Sequence, residues 1–257
     1  MALQLSRAVS DGFRRTFTRA GGVLFVGLLL IQFGIQTSVN TVVAGFLPAE
    51  AAAQFSGETG LVLPVSGSVG LALFGALTLA SSAYFVVLSR TFAQPLGEAS
   101  TFPPALTERL GRATLVALVG GIVVSVAVAV GFVLLFFPGL FLTASFLFFV
   151  FVVAVEDGGG VESLKRSWGL ARGSRLRLAV VMFLSGAFGL VLGAVTPLVG
   201  LVGGPLAADL VTVTLSAAFF VPYYAVIASA YLQLRDGRPS ANRTAPEPVD
   251  ASQTPKL

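Results

Sequence analysis

Residues 153–177, VAVEDGGGVESLKRSWGLARGSRLR, separate two long apolar runs and carry five of the sixteen basic residues of the chain. Within this stretch Glu162 precedes Arg166 by four residues, which is the spacing of a favourable ion pair on a helix. A helix starting at Val161 places these residues on its apolar face: Val161, Leu164, Trp168 and Ala171. The pattern predicts a helix on a membrane surface, with Trp168 at the headgroup level and its basic residues facing anionic lipid.

The composition is that of a membrane protein. Of the 257 residues, 55% are hydrophobic and 11% are charged, against about 25% charged residues in soluble domains. The chain contains no Cys and no His, which excludes disulfides, thiolate catalysis and His-ligated metals. We therefore expect no cofactor, no metal and no catalytic residue, and nothing in the sequence predicts a nucleic-acid partner.

Six apolar runs predict six transmembrane helices in an all-α polytopic membrane protein, because one crossing takes about 20 apolar residues. The runs cover residues 21–47, 65–92, 113–137, 140–155, 176–196 and 206–234. The fourth run is short for a crossing, so it borrows residues from its flanks or crosses where the bilayer is thin. The first run is longer than the apolar core of a signal peptide, which has about 7–15 residues, so we expect it to remain uncleaved.

Short amphipathic segments precede the first, third and fifth predicted spans. They lie at residues 1–20, 103–112 and 156–175, and we predict a short cytoplasmic helix in each. Two interpretations stay open: a threefold repeat of one helix plus a two-span hairpin, or the general habit of membrane proteins to put basic residues before such spans. Residues 235–257 are polar and rich in Pro, Ser and Ala, which predicts a disordered tail.

All sixteen basic residues fall on one side of the predicted topology. Four lie before the first span, three between residues 90 and 112, five in the central stretch and four in the tail. The three connections on the other side have none. The positive-inside rule then predicts a multi-pass protein of the cell membrane with both termini in the cytoplasm.

A polar stripe runs along the first span. Gln32, Gln36 and Asn40 follow each other at intervals of four residues and therefore share one face. Buried amides in lipid are costly unless they are paired. Two interpretations remain: hydrogen bonds that hold neighbouring helices together, which is the common use, or a surface that contacts a transported solute.

Three acidic residues near span ends are further candidates. Glu156 and Asp157 are adjacent and could bind a cation or act in acid–base chemistry, or they could pair with the basic residues of the following helix. Asp209 lies near the start of the sixth span, where the helix dipole stabilises a carboxylate.

The central stretch resembles a known family. Its elements are Glu156, a glycine-rich turn, Glu162-Ser-Leu-Lys-Arg-Ser-Trp168 and Arg172-Gly173 before a basic start of a span. They are similar to the membrane domain attached to some glycerophosphodiester phosphodiesterases and to related uncharacterised six-helix prokaryotic membrane proteins. The resemblance implies a membrane domain without phosphodiesterase activity, because the separate catalytic domain of those enzymes has no counterpart among these residues.

These observations predict a non-enzymatic membrane protein that organises lipid, with anionic headgroups favoured, or a protein partner at the cytoplasmic face. The candidate residues for that role are Glu156, Glu162, Lys165, Arg166, Trp168 and Arg172. The alternative is a small-solute transporter or channel that uses Gln32, Gln36 and Asn40. A lipid-modifying enzyme is a third class, which would need more converging acids than Glu156, Asp157 and Glu162 supply.

Overall fold

The structure, a computed structural model, describes residues 3–98, 100–103 and 106–237, and these residues form helices and connections without any strand. The α-helices are α1 (Leu5–Thr16), α2 (Arg19–Phe46), α3 (Ala49–Glu58), α4 (Gly67–Phe92), α5 (Leu110–Leu134), α6 (Phe136–Phe146), α7 (Phe149–Glu156), α8 (Gly160–Ala171) and α9 (Arg175–Asp236). The predicted tail from residue 238 onward lies outside the described residues.

Five helices of the described chain are long and apolar enough to cross a membrane. They are α2, α4, α5, the combined run Phe136–Glu156 and α9. Their apolar residues lie on all sides, which suits a lipid environment. Helices also satisfy their own backbone hydrogen bonds, as a segment in hydrocarbon requires.

The 62 residues of α9 form two arms that fold back on each other. Gly204 breaks the helix with a φ of 80°, which glycine adopts without strain. Across this break the hydroxyl oxygens of Thr196 and Thr212 lie 2.7 Å apart, and the rings of Phe188 and Phe219 stack with centroids 4.0 Å apart. Residues 175–203 therefore form a first arm, and residues 205–236 return beside it as a second arm.

The turn between α5 and α6 lies earlier than predicted. The third and fourth predicted apolar runs are separated at residues 138–139, but Leu135 has the extended conformation, and Pro138 belongs to the first turn of α6. Proline is tolerated there because the first N–H groups of a helix have no partner within the helix. The combined run Phe136–Glu156 has 21 residues, so the fourth apolar run does extend into its flank.

Two connections also differ from the predictions. Helix α3 occupies part of the segment between the first two predicted spans, for which the sequence analysis predicted no helix. Before α5, the described residues contain a 3-10 helix at Leu96–Glu98 and hydrogen-bonded turns, so the amphipathic α-helix predicted before the third span is absent from this described part.

Helix α1 packs against α9. Its buried residues are Ala8, Gly12 and Arg15, and Gly12 contacts the backbone of Val226 in the second arm. Another side of α1 is apolar: Leu5, Val9 and Phe13 line an apolar cavity of about 530 Å³ between α1 and both arms. The first amphipathic segment is thus a packed part of the helix bundle.

The bundle has two chemically different ends. At the end that we call the basic end, Arg15 donates to the carbonyls of Phe92 and Gln94, and Arg177 donates to the carbonyl of Leu3. We call the other end, formed by residues 47–66 and 197–209, the opposite end. The sequence has no Lys or Arg in these two ranges.

Candidate functional site

Helix α8 packs through its small residues. Ser163, Ser167, Leu170 and Ala171 are its buried residues. The hydroxyl of Ser167 donates to the carbonyl of Ser145 at 3.0 Å, which ties α8 to α6. Of the predicted apolar face, Ala171 is fully buried, whereas Val161 is 68% exposed and Trp168 is 37% exposed, so most of this face stays open on the surface of the bundle.

Glu156 is held inside a network. Its Oε2 lies 3.0 Å from Nε of Arg166, and its Oε1 accepts a hydrogen bond of 2.8 Å from the hydroxyl of the buried Tyr231. Asp157 pairs with Arg109 at 2.7 Å. Glu156 and Arg166, two of the predicted site residues, therefore join α7, α8 and the second arm of α9. Glu156 pairs with a basic residue of the following helix, whereas the partner of Asp157 is Arg109 in the connection before α5.

Three other predicted residues, on α8 or directly after it, point to the surface. Glu162, Lys165 and Arg172 are exposed. Among the described residues, neither Lys165 nor Arg172 takes part in an ion pair. Both cations therefore remain available to an external anion at the basic end.

An aromatic cluster surrounds the first residue of α9. The guanidinium carbon of Arg175 lies 4.2 Å from the ring centroid of Phe141 and 4.6 Å from that of Trp168. The Trp168 ring also contacts Phe146, with centroids 5.7 Å apart. Such cation–π contacts are worth about 2 kcal/mol when they are shielded from water, so the rings fix the position of the guanidinium.

The Arg175 guanidinium keeps two donors unused. Its Nε and Nη2 atoms are buried and have no hydrogen-bond partner within the described part of the chain. These two atoms form one edge of the guanidinium, the fork that binds a carboxylate or phosphate through two parallel hydrogen bonds. An unsatisfied buried donor costs about 1–3 kcal/mol, so this edge is a candidate anion site.

An apolar cavity of about 580 Å³ adjoins Arg175. It is lined by Phe137, Pro138, Leu140, Phe141, Ala144, Arg175, Leu176 and Ala179. From Ala144 back to Phe137 the cavity follows α6 for about 10 Å, given a rise of about 1.5 Å per residue. The donor edge of Arg175 and the apolar cavity beside it together suit an amphipathic anion.

A second cavity at the basic end contains Arg90. Its Nε donates to the carbonyl of Ala154 at 2.9 Å, and its Nη1 donates to the carbonyls of Leu106 and Glu108 at 2.8 Å. The cavity has a volume of about 380 Å³. Because Arg90 binds backbone carbonyls of two segments, we assign it a structural role.

The polar stripe of α2 divides between two environments. Gln36 and Asn40 line a cavity of about 360 Å³ at the opposite end, together with Glu58 and Asp209. Gln32 is half-buried and is not among the residues that line this cavity. Within the stripe, Nε2 of Gln36 donates to Oδ1 of Asn40 at 3.4 Å.

Sequence reasoning missed Arg175 as a site residue. It was counted among the basic residues of the central stretch, but the pattern did not separate it from its neighbours. A usable signal was its position directly after Gly173 and Ser174, seven residues beyond the only Trp of the chain. Within the described residues there is no group of three or more His, Cys, Asp or Glu side chains that could hold a metal ion.

Fold and site define an all-α protein with several membrane-length apolar helices and a basic end that offers an anion fork. The chain belongs to the family of the domain of unknown function DUF7847, whose model matches residues 3–234. No curated protein matches the chain, and no solved structure matches it. The resemblance to the membrane domain of glycerophosphodiester phosphodiesterases therefore stays a prediction.

Proposed function

We propose that the chain is a non-enzymatic protein of the cell membrane that crosses it six times and binds an anionic phospholipid at its basic end. The observation that carries this proposal is the buried, unpartnered Nε–Nη2 edge of Arg175 beside an apolar cavity. We assign the basic end and both termini to the cytoplasm, because basic residues collect on the cytoplasmic side of membrane proteins.

The two arms of α9 support six crossings. Each arm is long enough to span about 30 Å of hydrocarbon at 1.5 Å per residue. The contact between Thr196 and Thr212 requires the chain to reverse between them. Counted with α2, α4, α5 and the run Phe136–Glu156, the two arms bring the number of crossings to six.

Cysteine labelling tests this topology cleanly, because the chain has no Cys. Ser56 of α3 and Thr107 before α5 are both exposed. We expect Ser56→Cys to react with a membrane-impermeant maleimide in intact cells, and Thr107→Cys to react only after permeabilisation. Reaction of both variants in intact cells would contradict the assigned sides.

The lipid phosphate is the group that we assign to the Arg175 fork. A phosphate diester offers two unesterified oxygens, which match the two parallel donors of the guanidinium edge. Lys165 and Arg172, both exposed on or just after α8, add positive charge to the same end. Anionic headgroups are therefore favoured over zwitterionic ones.

An acyl chain is the group that we assign to the cavity along α6. The cavity walls are apolar except for Arg175, and burial of each methylene contributes about 0.8 kcal/mol when it leaves water. Within a bilayer, an acyl chain that enters the cavity leaves other lipid and not water. The cavity therefore selects the acyl chain by its shape, and the cationic fork supplies the affinity.

The Arg175→Gln variant tests the lipid site. We expect native mass spectrometry in a mixture of phosphatidylglycerol and phosphatidylcholine to show about tenfold weaker phosphatidylglycerol binding or more, since a hydrogen bond to a charged group contributes about 1.5–3 kcal/mol. Arg112→Gln is the matched control, because Arg112 is exposed at the same end and its removal changes the net charge equally.

Equal retention of phosphatidylglycerol by the wild type and Arg175→Gln would contradict the lipid site. A co-purified acidic protein that replaces the lipid would identify a protein partner as the occupant instead. Solute transport along Gln32, Gln36 and Asn40 remains the alternative function. Substrate-dependent flux in proteoliposomes, lost in a folded Gln36→Leu variant, would favour it.

A further inference from the structure

The cavity at the opposite end joins three parts of the chain. Gln36 and Asn40 come from α2, Glu58 from the end of α3, and Asp209 from the second arm of α9. The hydroxyl contact of Thr196 with Thr212 fixes the two arms beside it. The cavity volume of about 360 Å³ lies at the small end of the range of ligand sites, about 300–1,000 Å³.

The charge around this cavity is entirely acidic. Glu58 and Asp209 line it, and the sequence has no Lys or Arg in the ranges that form the opposite end. Two carboxylates in a concave, partly apolar site produce a field that attracts cations. The field at this cavity therefore favours a ligand of positive charge.

Gly60 allows the carboxylate of Asp209 to occupy its position. A Cβ atom at residue 60 would overlap Oδ2 and Cγ of Asp209. The backbone N–H of Leu63 donates to Oγ1 of Thr41 at 3.0 Å, which fastens this segment to α2. The carboxylate of Asp209 is thus held against the backbone of the connection, and Glu58 adds an exposed carboxylate from the end of α3.

Asn40 supplies a donor that the protein leaves unused. The side chain is buried, with 4% of its surface exposed. Its Oδ1 accepts from Gln36. One N–H of its Nδ2 faces the carboxylate of Asp209, and the second N–H has no partner among the described residues. A buried donor of this kind needs an acceptor, and the cavity is the place where a ligand could provide one.

We propose that this cavity binds a small primary ammonium compound that also carries a hydroxyl or carbonyl oxygen. Its ammonium group binds the carboxylates of Asp209 and Glu58, and its oxygen accepts from Nδ2 of Asn40. A metal ion would satisfy the carboxylates but would face the N–H donors of Asn40, which cannot act as ligands. This site is independent of the lipid site at the basic end.

Ethanolamine is the probe for this proposal. We expect the wild type, in nanodiscs of phosphatidylcholine and phosphatidylglycerol, to bind free ethanolamine in a calorimetric titration. Asp209→Asn should weaken binding about tenfold or more, because it removes a charged partner without changing the side-chain shape. Glu50→Gln is the matched control, since Glu50 is an exposed acid at the same end that does not line the cavity.

A comparison of ethanolamine with n-propylamine tests the role of Asn40. Both probes have the same number of non-hydrogen atoms, but n-propylamine lacks the hydroxyl. The wild type should prefer ethanolamine about tenfold, and the folded Asn40→Leu variant should lose this preference while it still binds both amines. Size-exclusion chromatography and thermal unfolding identify variants that fail to fold.

Three results would overturn the proposal: no ethanolamine binding by the wild type, equal binding by folded Asp209→Asn, or an equal loss in Glu50→Gln. A preference for ethanolamine that survives in Asn40→Leu would also overturn the assigned role of Nδ2. Nanodiscs that contain phosphatidylethanolamine identify the source. Weaker binding of free ethanolamine there supports a lipid headgroup as the occupant, and unchanged binding supports a free amine.

Discussion

Replacing Gly12 with leucine is expected to lower the free energy of unfolding by about 3 kcal/mol, the upper part of the usual range for overpacking. A Cβ atom at this position would lie 2.7 Å from the backbone N and 2.8 Å from Cα of Val226. Backbone atoms of a helix cannot move aside as a side-chain end can, so α1 must separate from the second arm of α9. Unfolding in mixed detergent micelles, followed by circular dichroism, measures the loss.

Gly22→Leu is the matched control for this experiment. Gly22 lies inside α2, and a Cβ atom there would meet no described neighbour within 4 Å. Both variants gain the same helix propensity, about 1 kcal/mol for removal of a helical glycine, so their difference isolates the contact. Equal stability of the two variants would show that α1 does not pack against α9 as described.

The second large effect is expected for Arg15→Leu. Arg15 is 4% exposed and donates to the carbonyls of Phe92 and Gln94 at the end of α4, where the helix dipole favours a cation. Burial lowers the pKa of the Arg15 guanidinium, and Asp11 acts in the opposite direction, but arginine stays charged at any physiological pH. We expect a loss of about 2–3 kcal/mol, as for a hydrogen bond from a charged donor.

The neighbouring Arg14 provides the control. It carries the same charge in the same helix but is exposed, so Arg14→Leu should change the free energy of unfolding by about 0.5 kcal/mol or less. Both variants remove one positive charge before the first span, so an effect on topology would appear in both. A loss of stability that is equal in both variants would exclude the buried contacts of Arg15 as its cause.

Hydropathy predicted the long helices because it is a local property. The second apolar run, residues 65–92, agrees closely with α4 (Gly67–Phe92). The turn at Leu135 was missed because proline and glycine are common both in turns and in the first turn of a helix, and Pro138 occupies the latter. A break in hydropathy does not distinguish these two positions.

The face on which a helix packs was harder to predict. In α8 the periodicity of apolar residues selected Val161 and Trp168 as a membrane-facing side, and it did not predict that Ser163 and Ser167 are buried in the bundle. Within a membrane, lipid is as apolar as leucine, so helices meet through small and hydroxyl-bearing residues. Amphipathic periodicity, which identifies the buried face in water, loses that meaning when the exposed face contacts lipid.

The sequence by itself determined the all-α class, the positions of the apolar runs and the confinement of basic residues to certain connections. These features depend on composition and on neighbours within a few turns. Only the tertiary structure decided that Glu156 is shared by Arg166 and Tyr231, that Arg175 lies between two rings with a free donor edge, and that Asn40 meets Asp209. These groups come from segments far apart in the chain, and which of them meet depends on how the helices pack side by side.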